Sequence, residues 1–451
     1  MRINGGESMK SARETALHIL MQIDENKAFS NILLSSELNR TELSEVDKTF
    51  VTQLVYGVVT NKIAIDFIIK KSSKIKFNKI AIPIRNILRL GVFQLYYLDK
   101  IPVSATCNEA VKLAKKYGHI SSAGFVNAVL RSISSKEKDS FFKELTDKSE
   151  FLSVYYSYPK WIIDVWAAQF GLLQTEELIK ANEKVLYDSV RVNTLKTSVE
   201  EILVKFPKAK KGKISDIIYI ENVKELISSD EFKNGLVTLQ DEAPALVAHL
   251  LKPKAGQEIL DVCAAPGGKT THVAQLVKDD AKILATDLYP QRLKLIKDTA
   301  KRLGVTCIET SGLDATVFNE EFTDRFDRII ADVPCSGLGV IRKKPDIKFN
   351  IDEDDIENIN KTQRKILENA SKYLKVGGIL VYSTCTNIFK ENQETVSWFL
   401  NENKNFEVCT DFELIPDEWK NGLKDGMLSL LPNLHGCDGF FICCLKKCIV
   451  K

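Results

Sequence analysis

Two thiols stand where chemistry can use them. Cys335 follows the apolar run Arg328-Ile329-Ile330-Ala331 and its acidic end Asp332, in DVPCSGLGV, while Cys385 closes the run Ile379 to Thr384, in YSTCTNIFKEN. Paired cysteines at strand ends suit one demanding reaction, the placing of a carbon substituent on C5 of a pyrimidine. That carbon is not nucleophilic. A thiolate that adds to C6 breaks the ring's aromaticity and leaves an enamine whose C5 can attack an electrophilic methyl; loss of the C5 proton then expels the thiolate. A free cysteine has a pKa of about 8.5, so the nucleophile needs a neighbouring cation or a helix N-terminus. Lys269 is the candidate cation.

An enzyme that methylates exocyclic amines would carry [DN]-P-P-[YF] after the strand, whereas this chain has Asp332-Val333-Pro334-Cys335. Carbon is indicated rather than nitrogen. Chemistry alone leaves open which thiol attacks, because Pro334-Cys335 is similar to the nucleophile loop of DNA cytosine-C5 methyltransferases and Thr384-Cys385 is not.

A donor needs a seat, and the stretch DVCAAPGGKTTH from Asp261 to His272 offers one. Its Gly268-Lys269-Thr270 suggests a phosphate-binding P-loop, but the position of that motif's first glycine is filled by Cys263. A G-x-G-x-x-G dinucleotide signature is absent as well. Pro266-Gly267-Gly268 does let a ligand approach the backbone closely between a strand end and a helix start. Asp287 ends the next apolar run, where an acid can accept both ribose hydroxyls. Adenosine without phosphates fits better than a triphosphate. A P-loop ATPase or a non-catalytic RNA-binding assembly factor are the competing classes; the second has no use for Cys335 and Cys385 beside such a loop.

These residues must be delivered by a sheet. EILDVC, KILATD, RIIADV and ILVYST are short apolar runs ending in polar or acidic residues, alternating with helical patterns, as in a doubly wound parallel sheet presenting its site at the carboxyl ends. We therefore read residues 235–451 as an α/β catalytic domain. Residues 9–147 read as helix after helix, with Val46, Phe50, Leu54 and Val58 on one face and Ile84, Leu88 and Leu95 on another. Between them, residues 151–234 read as a small α+β unit containing SVRVNTLK, its aromatics Tyr155, Tyr156, Tyr158 and Trp161 forming core or an interdomain seam.

A chain of 451 residues, 44% hydrophobic, has material for two or three cores. Lys and Arg number 63 against 60 Asp and Glu, a surplus of +3 that announces no nucleic-acid partner, so any basic surface must be local. Arg342, Lys343, Lys344 and Lys348 follow Cys335 and form the candidate strip for RNA phosphates. Arg85, Arg89, Lys112, Lys115 and Lys116 form a second group, on the helices. No segment approaches the ~20 apolar residues of a membrane span. The ten cysteines lack framework spacing and read as reduced cytoplasmic thiols. The cluster Cys437, Cys443, Cys444 and Cys448 lacks zinc knuckles, and no metal is expected. In DGFFICCLKK adjacent thiols should face opposite sides of a strand. Met9 is the expected natural start, because the helical pattern begins after it.

Taken together, DVCAAPGGKTTH, ATDLYPQRL, DVPCSGLGVIRKKPDIKF, YSTCTNIFKEN and DGFFICCL resemble the RNA cytosine-C5 methyltransferases, with all five motifs in family order. SARETALHIL and GFVNAVLRSI resemble the NusB-like RNA-binding domain of that family's bacterial RsmB (Sun/Fmu) branch. The resemblance implies a multidomain chain: an all-α NusB-like domain, an RRM-like lead-in and a Rossmann-like domain dependent on S-adenosylmethionine. It implies that Cys385 attacks C6 and Cys335 assists product release. It lines the cofactor pocket with Cys263, Ala264, Ala265, Pro266, Gly267, Gly268, Lys269, Asp287, Arg292, Asp314 and Asp332. By it Asp287 takes the ribose, Asp314 lies near the adenine amine, and Asp332 lies between cofactor and cytosine. The implied substrate is one cytosine of small-subunit ribosomal RNA, met before ribosome assembly by a monomeric enzyme. A target in a loop or single strand costs least to unstack.

Overall fold

The computed structural model describes residues 11–26, 30–184 and 187–449. The expected start at Met9 lies outside them. The chain forms two units, one of residues 1–179 with 343–352, the other of residues 180–342 with 353–451.

The first unit is helical. Helices Ala12–Asn26, Glu45–Thr60, Ile82–Tyr97, Val103–Tyr117 and Ile120–Ser134 are among those enclosing one apolar core. Local chemistry sets their ends: the Ser44 hydroxyl accepts from the Asp47 N–H at 3.1 Å, and a proline starts helix Ile82–Tyr97. Ile84 and Leu88 are buried as expected, but the core face of Glu45–Thr60 is Val51, Leu54, Val55 and Val58, and Val46 is 80% exposed. A stripe at every fourth residue drifts around a helix of 3.6 residues per turn, which carries Val46 away from the face that Leu54 and Val58 share.

Helices Lys148–Tyr155 and Lys160–Phe170 belong to this unit, where Tyr155 packs edge-on against Phe142 and Tyr158 is buried beside Trp166. Those aromatics are helical core. Residues 343–352 also belong here, and Lys348 is 1% exposed, its ammonium donating to the Thr60 carbonyl at 3.0 Å and lying 4.3 Å from the centre of the Tyr158 ring. The Asp346 carboxylate accepts from the Ser30 N–H at 2.7 Å.

The second unit begins with a four-stranded antiparallel sheet of β1 (Asp188–Val192), β2 (Lys210–Lys211), β3 (Ile217–Ile220) and β4 (Val237–Leu239), ordered β2-β3-β1-β4. Val190, Val192, Ile218 and Val237 meet Ile202 and Leu226 of its helices in a separate small core. The strands thus start well after residue 151.

The larger sheet has nine strands: β5 (Glu258–Asp261), β6 (Lys282–Asp287), β7 (Ile308–Gly312), β8 (Phe326–Asp332), β9 (Leu374–Thr384), β10 (Phe406–Val408), β11 (Leu423–Lys424), β12 (Met427–Leu430) and β13 (Phe440–Lys447). Its order is β11-β12-β13-β9-β8-β5-β6-β7, with β10 also on β13. Strands β5 to β9 pair in parallel, and β13 joins β9 antiparallel. All four apolar runs singled out in the sequence are strands. Cys443 and Cys444 enter cores on opposite faces of β13, as alternation requires. The chain passes from β5 outward to β6 and β7, then returns to place β8 on the other side of β5. That switch opens a crevice at the carboxyl ends of β5 and β8.

Candidate functional site

Residues Val262 to Gly267 turn out of β5 and into helix Gly268–Leu276. The turn is pinned by its backbone: the Val262 N–H donates to the Ile330 carbonyl at 3.1 Å, Ala264 to Thr286 at 2.8 Å and Gly267 to Ala264 at 2.7 Å. Gly267 sits at φ +100°, and a β-carbon there would come within 3.2 Å of the Ile296 backbone. Only glycine meets both conditions without strain. The Arg292 guanidinium braces the turn from outside, donating to the Ala265 carbonyl at 2.9 Å and pairing with Asp287 at 3.3 Å. Asp287, 3% exposed at the end of β6, also accepts from the Tyr289 N–H. Asp314 lies exposed after β7, where its carboxylate accepts from the Thr316 N–H and hydroxyl.

Inside the crevice the charges are paired. Lys269 donates to Asp332 at 2.7 Å, and Ser383 of β9 donates to the other carboxylate oxygen of Asp332 at 2.7 Å. Burial opposes the charge on Lys269, yet Asp332 prevails and holds its pKa above the usual lysine value, with Cys385 adding in the same direction. This lysine is a fixed cation of the site, already engaged by a carboxylate. Asp261 is buried and accepts from the Thr270 hydroxyl; burial pushes its pKa up to about 7. Burial, with Asp261, Asp332 and Asp287 nearby, raises the Cys263 thiol well above the ordinary range. Cys263 is therefore a protonated wall residue and no nucleophile.

The other two thiols meet. Cys335 Sγ and Cys385 Sγ are 3.3 Å apart, on loops after the neighbouring strands β8 and β9. Backbone bonds interlock these loops: the Gly339 N–H donates to the Cys385 carbonyl at 3.0 Å, and the Gly439 N–H to the Gly339 carbonyl at 2.8 Å. A β-carbon on Gly339 would fall 2.2 Å from the Gly439 oxygen, so only glycine permits the crossing.

The basic strip after Cys335 is corrected by the structure. Arg342 pairs with Asp438 at 2.8 Å with both side chains largely buried, and Lys348 is in the helical unit's core. Lys344 alone of the four is exposed. Among the helical cations, Arg89 is buried between Asp66 and Asp24 at 2.7 and 2.6 Å, serving packing rather than phosphate contact.

Sequence reading missed the residues that hold the site from behind. Arg191 of β1 is fully buried, donating to the Gly268 carbonyl at 2.7 Å, to the Thr271 hydroxyl at 3.0 Å and to Gln240. Burial brings its pKa down to about 9. Asp216, just before β3, accepts from His249 at 3.1 Å, His272 at 2.6 Å and Gln275 at 3.1 Å. Burial, followed by Arg191, lowers the His272 pKa to about 4, so its imidazole stays neutral. The small sheet thus grips both the start and the middle of helix Gly268–Leu276. Ser336, Gln363 and Glu391 were missed as well.

A doubly wound sheet with a pinned glycine turn at its switch point, extended by an antiparallel β13, is a methyltransferase fold. The chain belongs to the 16S rRNA methyltransferase RsmB/F family, whose model matches residues 248–446; residues 10–135 match the NusB family and residues 158–212 the RsmF/B-like ferredoxin-like domain. It is 38% identical to the probable ribosomal RNA small subunit methyltransferase B of Bacillus subtilis, over 97% of this chain and 99% of that one. The ribosomal RNA small subunit methyltransferase B of Escherichia coli O1:K1 is 30% identical over 98% of this chain and all of its own length. The crystal structure of PH0851 superposes with a TM-score of 0.81 at 26% identity, covering 97% of this chain and 98% of that one.

Proposed function

We propose that the protein transfers a methyl group from S-adenosylmethionine to C5 of a cytosine in 16S ribosomal RNA, through a temporary bond between Cys385 and C6 of the base. The observation that carries this reading is the pair of sulfurs 3.3 Å apart, on the same edge of the sheet as the glycine turn and the Lys269–Asp332 pair.

The residues fit the cofactor. A β-carbon on Gly268 would meet Gln240 only at 3.9 Å, so the start of the helix is uncrowded, and the carboxylate of Asp287 ends β6 where a ribose diol would be accepted. Ala264 to Gly268 would hold the amino-acid portion, with Asp287, Arg292 and Asp314 on the nucleoside side. When bound, the cofactor supplies an electrophilic methyl. The protein does the rest: Lys269 favours the Cys385 thiolate, Cys385 adds to C6, Asp332 and Ser383 orient the ammonium, and Cys335 assists the final elimination, in which a base takes the C5 proton and the C6–sulfur bond breaks to return the Cys385 thiolate. The NusB-like domain binds the RNA, and the enzyme acts in the cytoplasm on small-subunit RNA before assembly.

Bisulfite sequencing of 16S ribosomal RNA from cells with and without the gene should show one cytosine that is protected only when the gene is present. An unchanged 16S pattern with a lost mark on transfer RNA would move the substrate, and no lost mark in either would overturn the reading.

The buried arginine gives a second test. Arg191→Gln removes the charged donors to the Gly268 carbonyl and the Thr271 hydroxyl, a loss of about 1–3 kcal/mol for hydrogen bonds to a charged group. S-adenosylmethionine should bind about tenfold more weakly by calorimetry, since ~1.4 kcal/mol is tenfold. The kcat at saturating cofactor should change only a few-fold. A lowered kcat with unaltered affinity would show that Arg191 does not govern the cofactor turn.

A further inference from the structure

Behind the two thiol loops lies a carboxylate that the reaction as described does not use. Glu391 sits in the short turn Phe389–Glu391 after β9, 0% exposed. One carboxylate oxygen accepts from the Ser336 hydroxyl at 2.5 Å and the Thr386 hydroxyl at 3.3 Å; the other accepts from the Ser336 N–H at 2.8 Å and the Gln363 amide at 3.0 Å. Ser336 follows Cys335, and Thr386 follows Cys385. The Ser336 and Thr386 hydroxyls also meet at 2.7 Å, and Gln363 reaches the Pro334 carbonyl at 2.9 Å. The Tyr382 hydroxyl fastens the Glu391 backbone at 2.6 Å. One buried acid therefore ties together residues flanking both thiols.

Its charge matters as much as its bonds. We propose that Glu391 is a positioning residue that sets the polarity of the thiol pair, fixing the sulfurs in contact and keeping the shared proton on Cys335, so that Cys385 is the thiolate. This rests on the proposed covalent chemistry and assigns its two thiols by a physical cause.

The groups that act on the pair are Lys269, Tyr382 and Glu391, with Asp332 and Asp261 behind Lys269. Lys269 is the cation of the set, and Cys385 acts on it directly. Glu391 is the anion that acts on Cys335, whose thiol is raised first by its hydrogen bond to Cys385, then by burial, with the charges of Cys385 and Glu391 adding. Burial raises the Glu391 carboxyl too, while the Ser336, Gln363 and Thr386 donors stabilise its ionised form. Asp332 is taken up by Lys269 and Ser383. A cation beside one sulfur and an anion behind the other leave the proton on Cys335, donated towards the Cys385 sulfur. The pair then holds one proton and one negative charge, the second thiol proton having passed to solvent, and the alternative state differs only in which sulfur carries the remaining proton.

The main readout needs no RNA. Full-length protein is treated with iodoacetamide across pH 6 to 9, and alkylation of each cysteine is followed by peptide mass spectrometry. In the wild type Cys385 should react at least tenfold faster than Cys335 at neutral pH. In Glu391→Gln that preference should fall about tenfold or more and the Cys385 profile should shift to higher pH, with the melting temperature read alongside. Glu391→Asp keeps the charge and shortens the reach; it should preserve the order of reactivity while lowering kcat, and it serves as the assay if the Gln variant does not fold. A wild-type preference for Cys335, or an unaltered preference in Glu391→Gln, overturns the inference, as does an Asp variant in which the preference is lost although the protein is folded. Should Cys385→Ala be inactive while Glu391→Gln keeps the wild-type ratio, this inference alone fails; an active Cys385→Ala removes the covalent reading beneath it.

Discussion

Replacing Cys385 with alanine should lower methyl transfer at least about 10³-fold, since the route through a covalent adduct is lost outright, while S-adenosylmethionine binding stays within a few-fold of the wild type. Transfer of labelled methyl to unmodified small-subunit RNA measures the first, calorimetry the second. Cys335→Ala should behave differently. With Cys385 free to attack and elimination impaired, a protein–RNA complex should accumulate that survives a denaturing gel. The sulfurs are 3.3 Å apart, so distance to the base cannot distinguish the two roles; the outcomes of the two substitutions can. An active Cys385→Ala, or a trapped complex in Cys385→Ala rather than Cys335→Ala, would reverse the assignment.

Lys269→Met should reduce kcat about 10²-fold and move the acid limb of the kcat/KM profile to higher pH by ~1–2 units, as expected when an opposite charge a few ångströms away is withdrawn. The sign follows from the site. An ammonium beside a thiol favours its ionised form; its loss raises the thiol's pKa, and more alkaline solution is needed for the same thiolate population. Loss of Lys269 also leaves Asp332 without its cation, which deepens the effect. Cofactor affinity should change little if the Ala264–Gly268 backbone does most of the holding. A pH profile unmoved by the substitution would assign thiolate stabilisation elsewhere.

What could be read from the sequence divides by how far apart the interacting residues lie. Strands β5, β6, β8 and β9 were legible because an apolar run with an acidic end is a local pattern, and the positions of Asp287, Asp332, Cys335 and Cys385 at one sheet edge followed from it. Gly267 was legible too, since a glycine turn after a strand says that the backbone must be approached. Arg191 was read only as part of a strand because its partners Gly268 and Thr271 lie 77 and 80 residues on, beyond any periodicity. Glu391 looked like any acid in a polar loop, its burial fixed by Ser336 55 residues earlier. Lys348 was misread for the opposite reason. A lysine in a basic run is ordinarily solvated, and nothing local reveals that its stem and ammonium are enclosed by Thr60, Tyr158 and Phe349. The ring partners of Tyr155 and Tyr158 are likewise set by packing, Phe142 for the first and Trp166 for the second.

The membership of residues 343–352 in the helical unit bears on how this polypeptide can be divided. An N-terminal deletion that spares every residue of the catalytic sheet would still evict Lys348 and Asp346 from their sockets, setting loose the stretch of chain that begins eight residues beyond Cys335. The helical body is thus no interchangeable handle. Exchanging it for another helical module would require rewriting a short insert far along the chain, between residues 342 and 353.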